Sequence, residues 1–246
     1  MMTDTPTVAV FRPDDDRLTE AVETLESLGV DPLGDPMLAV EPTGAMPRTD
    51  ADYAILTSKT GVELAAEGGW KPRKATVCAI GRSTADALER AGYSVDVVPE
   101  EFSSRGLVDR LADEVDGARI EVARSDHGSE VLLDGLEAAG AYCHETVLYR
   151  LVRPESAGES VERAAAGTLD AALFTSSLTV EHFVDTAREK GIEAEAIAGL
   201  NDAVVGTIGI PTKETAEGIG IDVAVVPGEA DFEQLAEAAV ELVPDE

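Results

Sequence analysis

Short apolar runs of strand length alternate along the chain with longer stretches in which apolar residues recur every three or four positions. This alternation predicts βαβ units built on parallel sheets. Strands are predicted at 52–56, 76–80, 94–98 and 119–123, and again at 170–174, 203–208 and 222–226. Helices are predicted to begin near Lys59, Ser83, Ser104 and Gly128. Leu18, Val22, Leu25 and Leu28 fall on one helical face, as do Phe232, Leu235, Ala239 and Leu242, so each stripe is expected to cover a sheet.

The pattern occurs twice. Thr57-Ser58 follows Tyr53-Ala54-Ile55-Leu56 and precedes Val62-Glu63, and 118 positions later Thr175-Ser176 follows Ala171-Ala172-Leu173-Phe174 and precedes Val180-Glu181. Ile80-Gly81-Arg82-Ser83-Thr84, running on to Gly92 and Val95 to Pro99, returns at an offset of 128 as Ile208-Gly209-Ile210-Pro211-Thr212, running on to Gly220 and Val223 to Pro227. A looser pair, Val8 to Arg12 leading to Gly29 and Ile120 to Arg124 leading to Gly140, slips by one residue. Repeats holding several strands and helices each imply two related domains rather than a solenoid.

Segments 36–42 and 145–154 fit neither copy, are strand-like and carry prolines at their ends. They follow the two copies of the looser repeat at equivalent places, so they are read as a pair of connecting strands. The expected organisation is then a discontinuous first lobe of residues 1–37 plus 153–246, a second lobe of 42–146, and a hinge with a cleft between them. The fold class is α/β, with two related parallel-sheet domains of flavodoxin-like or Rossmann-like type joined by a two-stranded connection.

Composition narrows the function. A chain of 246 residues can bury a core in each of two domains. The net charge of -30, spread through periodic helices, describes a solvated surface and a protein suited to concentrated salt. No basic stripe exists to meet phosphates, so nucleic acid is not an expected partner. Apolar runs stop at strand length, and residues 1–7 lack the features of a signal peptide, so no membrane segment and a cytoplasmic location are expected. Cys78 and Cys143 stand apart, as do His127, His144 and His182, so neither a disulfide framework nor a metal site is expected.

Candidate chemistry lies where strands run into helices. A Thr-Ser pair there offers hydroxyls and unpaired backbone N–H groups to an anion, and ligands of open α/β sheets bind at the carboxyl ends of strands. Thr57, Ser58, Gly81, Ser83 and Thr84 of one lobe and Thr175, Ser176, Gly209 and Thr212 of the other are therefore candidate ligand residues, with plain helix capping as the alternative. Arg12 and Arg124 end equivalent strands and could each grip a carboxylate, although Asp14, Asp15 and Asp16 offer Arg12 ion pairs. Tyr149, in a connecting segment, is either a packing tyrosine or a phenol able to give a proton to a leaving oxygen. Trp70 reads as a packing residue. No Ser-His-Asp order, P-loop or HExxH occurs, Gly-x-Gly is missing from the first strand-helix turn, and no cofactor is expected.

The segments LTSKTGVEL, FTSSLTVEHF, AIGRSTADALERAGY, VVPEEFSSRGLVDRL, VARSDHGSEVLLDGLEAAGA and ETVLYRLVRP, in this order and spacing, resemble the uroporphyrinogen-III synthase family over nearly the whole chain. A monomer is expected, and the resemblance implies two α/β lobes and a lyase that closes hydroxymethylbilane, a linear tetrapyrrole with eight carboxylates, to uroporphyrinogen III. Ring D is inverted and water is lost. It also implies Tyr149 as the proton donor, Thr212 as the threonine of a Gly-Pro-x-Thr turn, and a transient hand-over from hydroxymethylbilane synthase. The chain departs from the family pattern at Pro211, one place late, and at Lys59. A two-lobed tetrapyrrole-binding or regulatory protein without catalysis is the alternative.

Overall fold

The computed structural model describes residues 5–244. In chain order the elements are β1 (Thr7–Phe11), α1 (Asp16–Ser27), β2 (Asp31–Gly34), β3 (Ala39–Pro42), β4 (Tyr53–Leu56), α2 (Lys59–Glu67), β5 (Thr76–Ala79), α3 (Arg82–Arg90), α4 (Ser104–Leu111) and β6 (Arg119–Ser125). There follow α5 (Glu130–Ala138), β7 (Tyr142–Val152), α6 (Glu159–Ala165), β8 (Ala171–Phe174), α7 (Ser177–Lys190), α8 (Glu193–Asp202), β9 (Val204–Thr207), α9 (Ile210–Ile219) and α10 (Phe232–Val240). The chain divides into two compact units, one formed by the residues up to Ala39 and from Val152 onward, the other by Val40–Leu151.

Unit 1 carries the sheet β2-β1-β8-β9, parallel throughout. Because successive side chains leave opposite faces, β1 and β8 feed two cores at once. Ala9, Phe11, Ala172 and Phe174 join Val180, Phe183 and Leu200 on one face, where the Phe11 and Phe174 rings stack at 4.3 Å. Val8, Val10, Ala171 and Leu173 meet Ala21, Leu25, Leu235 and Ala239 of α1 and α10 on the other. The predicted amphipathic stripes do this work, except that Leu242 lies beyond the end of α10 and is 53% exposed.

Unit 2 repeats the arrangement as β7-β6-β4-β5, again parallel, with β3 added outside β7. Val8 pairs with Ala171 as Ile120 pairs with Tyr53, so the register of the repeat is retained and its one-residue slip is absorbed outside the paired strands. The two sheets differ in where the chain enters them: unit 2 begins with β4 and β5, the counterparts of β8 and β9, and ends with β6 and β7.

Segments 36–42 and 145–154, read as a pair of connecting strands, supply β3 and the carboxyl part of β7, which are neighbours in the five-stranded sheet, and the chain passes between the units inside them, at Ala39–Val40 and Leu151–Val152. Residues 36–38 lie outside any strand, with Met37 buried in the core of unit 1, and β7 pairs with β6 from Tyr142 to Tyr149. Two expectations change. The stretches 94–98 and 222–226 are reduced to single bridges, Cys78 with Val97 and Gly206 with Val225. Each is held by three equivalent backbone hydrogen bonds, and Pro99 and Pro227, lacking N–H donors, stop the ladder there. Strand β2 was not foreseen, because Pro32 and Gly34 break its pattern at the sheet edge.

Candidate functional site

In each unit the duplicated hydroxyls and glycines gather at the carboxyl edge of adjoining parallel strands. Leu56 O accepts from Ile80 N–H at 3.2 Å, which places the Thr57-Ser58 corner beside Gly81, and Phe174 O accepts from Ile208 N–H at 3.0 Å, which does the same for Thr175-Ser176 and Gly209. Ser58 and Ser176 cap their helices, accepting from Gly61 N–H at 3.0 Å and Thr179 N–H at 3.2 Å. The capping alternative is thus true of both serines. It does not cover the glycine corners: α3 and α9 start at Gly81 and Gly209 with no side-chain cap, leaving the positive ends of two helices for an anion.

The displaced proline leaves this geometry in place. Gly209 (φ -173°, ψ 172°) and Gly81 (φ -169°, ψ 178°) share one extended conformation. Pro211 sits in the first turn of α9, where a missing N–H removes no helical hydrogen bond. Its carbonyl accepts from Ser177 Oγ at 3.2 Å and Thr215 Oγ1 at 3.0 Å, tying the starts of α7 and α9 together. Thr84 and Thr212, three residues after their glycines, are both buried, whereas Ser83 is exposed. Thr175 Oγ1 donates to Phe11 O at 2.7 Å, and Lys59 pairs with Glu63 at 3.6 Å.

Tyr149 reaches the unit 2 corner through an irregularity of its strand. Pairing of β6 with β7 slips by one residue between Arg124 and Ser125, so Leu148 and Tyr149, neighbours that would otherwise face opposite ways, enter the same core. The phenol then donates to Ser58 Oγ at 2.9 Å, with the residue only 6% exposed. The hydroxyl that caps α2 is therefore also the acceptor for Tyr149.

The two arginines part company. Arg124 is 2% exposed, and its guanidinium is spent on Glu145 Oε1 at 2.5 Å, Glu130 Oε1 at 3.0 Å and Ser129 O at 2.6 Å. Burial works to lower its pKa, but the hydrogen bonds and charges of Glu145 and Glu130 outweigh it and the net shift is upward. Arg124 is a structural tie rather than a free carboxylate ligand. Arg12 does not take the ion pairs that Asp14, Asp15 and Asp16 offered, because Asp15 is engaged by Arg17. Its guanidinium lies over the Phe232 ring, 4.4 Å from the centroid, and donates to Arg17 O at 3.3 Å. Burial, with the nearby Arg17, lowers its pKa from the usual value. It remains a candidate anion ligand at the end of β1.

Thiol chemistry finds no support here. Burial pushes the Cys78 thiol up to about 12 and Cys143 up to about 11, far from thiolate formation near neutrality. Trp70 is a packing residue, its ring 5.3 Å from that of Tyr93. Among the described residues no group of three His, Cys, Asp or Glu side chains is placed to hold a metal ion, and no helix is long and apolar enough to cross a membrane.

One residue at the corner escaped the pattern reading. Phe102 packs against Gly81, where an added Cβ would lie 3.2 Å from Phe102 Cβ, yet the residue is 58% exposed. The signal was an aromatic in the polar loop Glu100-Glu101-Phe102-Ser103 that no core claims. Exposed Ile210 stands next to Gly209 in unit 1.

Comparison with known proteins finds relatives over most of the chain. Residues 19–237 match the family model for uroporphyrinogen-III synthase HemD. A Methanothermobacter thermautotrophicus protein named "Putative uroporphyrinogen-III synthase" is 34% identical over 236 residues, covering 89% of this chain and 92% of its own. A Synechococcus elongatus uroporphyrinogen-III synthase is 29% identical over 167 residues, covering 64% and 63%. The fold matches that of a mutant uroporphyrinogen III synthase from Thermus thermophilus with a TM-score of 0.69 at 19% identity, over 95% of this chain and 96% of that one.

Proposed function

This chain belongs to the uroporphyrinogen-III synthase family, and from that premise we propose that it closes hydroxymethylbilane to uroporphyrinogen III, inverting ring D and releasing water. The observation that carries the mechanism is the hydrogen bond from Tyr149 to Ser58, which puts a proton-bearing phenol at a hydroxyl corner.

Loss of the terminal hydroxyl needs a proton. Tyr149 supplies it, directly or through Ser58 Oγ, the C–O bond breaks, and water departs to leave an azafulvene. The substituted α-carbon of ring D attacks the exposed methylene, and the spiro intermediate fragments and recloses with ring D reversed. The proton shed on rearomatisation restores the phenol, so the protein ends as it began. Spontaneous closure gives the uninverted isomer, so the protein's contribution beyond the proton is to hold a flexible substrate in the geometry of attack.

Substrate carboxylates suit the glycine corners, where uncapped helix starts and nearby hydroxyls supply donors, and Arg12 adds a charge-assisted one. Short-range hydrogen bonds of this kind survive the salt that screens the repulsion between an acidic protein and an octa-anion. We expect a cytoplasmic monomer active in concentrated salt, on the strength of its composition, and fed by hydroxymethylbilane synthase.

The test is isomer analysis. Hydroxymethylbilane generated in the assay by its synthase should be converted mainly to the type III product at high salt. Formation of type I alone, whatever the salt, would overturn the proposal.

Phe102 presents an apolar face beside the Gly81 corner, suited to a pyrrole ring. Phe102→Ala should raise KM roughly three- to tenfold, the worth of one aromatic contact, with little change in kcat or melting temperature. Steady-state kinetics with a thermal melt decide it, and an unchanged KM removes Phe102 from the site.

A further inference from the structure

At the amino ends of β6 and β7, the edge of the unit 2 sheet away from the hydroxyl corners, lies a cavity of about 490 Å³. Its lining includes Asp50, Arg119, Glu121, Tyr142 and His144. Glu121 is the unusual member. It stands in the middle of a sheet row, paired with Ala54 on one side and His144 on the other, and its side chain is 1% exposed. Carboxylates are almost never buried so completely unless each oxygen has a donor. Here Oε2 meets His144 Nδ1 at 2.7 Å, while Oε1 has no hydrogen-bond partner among the described residues.

The chemistry of that pair defines what the cavity can hold. A carboxylate oxygen accepts, so His144 Nδ1 is the donor at Oε2, and Oε1 is left as an acceptor that no described side chain meets. The histidine side chain is 40% exposed, so its ring is open to a ligand. Arg119, a cation of the same lining, is turned to Asp50 at 3.6 Å and Asp52 at 3.4 Å. A buried carboxylate oxygen without a donor favours a ligand that brings N–H groups and a positive charge. Tyr142, 70% exposed, adds an aromatic face against which such a cation can lie.

We infer that this cavity binds a small primary ammonium group, with the unpartnered carboxylate oxygen of Glu121 as its acceptor and the Tyr142 ring as its apolar wall. The site makes no use of the residues assigned to ring closure, and the inference stands apart from the proposed reaction.

The experiment is an NMR titration of the ¹⁵N-labelled full chain with n-butylammonium chloride. A background of about 1 M KCl, where charges are screened within about 3 Å, suppresses general attraction to the acidic surface. Saturable shifts confined to Gly117–Glu121 and Tyr142–His144 are expected. Tetramethylammonium, which has charge but no N–H, should bind at least tenfold more weakly. Glu121→Met, which removes both oxygens at similar length, should weaken binding at least tenfold, and Tyr142→Ala, at an exposed position, severalfold. The second variant decides the matter if the first fails to fold. Equal shifts with tetramethylammonium, no saturation, or unchanged affinity in whichever variants fold would each overturn the inference. A protein devoid of synthase activity that still bound butylammonium in this way would sink the reaction and leave this site standing.

Discussion

Replacing Tyr149 by phenylalanine is expected to lower kcat by about 10² or more, the lower range for loss of a positioned general acid. The ring should stay where it is, because Tyr149 is packed with Leu148, Ala123 and Val62 in one core of unit 2 and phenylalanine fills the same space. Ser58 keeps its cap to Gly61 N–H and loses only the phenol as a donor, so stability should fall by about 1 kcal/mol. A change in KM much smaller than the change in kcat is therefore predicted, since the hydroxyl is needed most when the C–O bond breaks. Residual product should shift toward the type I isomer, because slow release of the hydroxyl leaves more bilane to close spontaneously. Steady-state rates and isomer ratios, measured beside a thermal melt, separate this outcome from a packing defect. Near-normal turnover in the variant would show that the phenol merely packs.

The corners were legible because capping is local. Ser58 and Ser176 announce the helix starts three residues before the N–H groups they bind, and the glycines at 81 and 209 begin helices that no side chain caps. Strand positions were readable for a similar reason, since in a doubly covered sheet each is a continuous apolar run. What stayed hidden depends on partners distant in sequence or on backbone irregularity. Arg124 looked like a ligand at a strand end, but its environment is set by Glu145, 21 residues away, and by the return of the chain at Glu130. The slip in β7 that aims Tyr149 at Ser58, 91 positions earlier, has no residue signature. Helix α8 (Glu193–Asp202) escaped too, being rich in alanine and lacking a broad apolar stripe. It packs on α6 through Gly199, where a Cβ would come within 1.8 Å of Ala164 O.

The largest effect on stability is expected at a residue remote from the chemistry. Helix α6 begins at Gly158 in a left-handed conformation (φ 119°) and has no cap of its own. Asp35, 2% exposed, serves instead: its carboxylate accepts from Gly158 N–H at 3.0 Å, Ser160 N–H at 2.9 Å and Ser160 Oγ at 2.5 Å. The anion also suits the positive end of the helix. Because 123 positions separate Asp35 from Gly158, these bonds join the stretch before the chain leaves unit 1 to the stretch after it returns. Asp35→Ala would strand two backbone donors and a hydroxyl in a buried place, each at about 1–3 kcal/mol. Allowing for relaxation, a loss of about 3–5 kcal/mol is expected, or a fall in melting temperature on the order of 10 °C for a chain of this size. Asp35→Asn, which keeps one acceptor oxygen, should lose roughly half as much. Denaturant titration of the two variants gives the comparison, with kcat at low temperature nearly unchanged in both. A drop of under about 1 kcal/mol in Asp35→Ala would mean that water takes over the three donors and that the joint closes by packing alone.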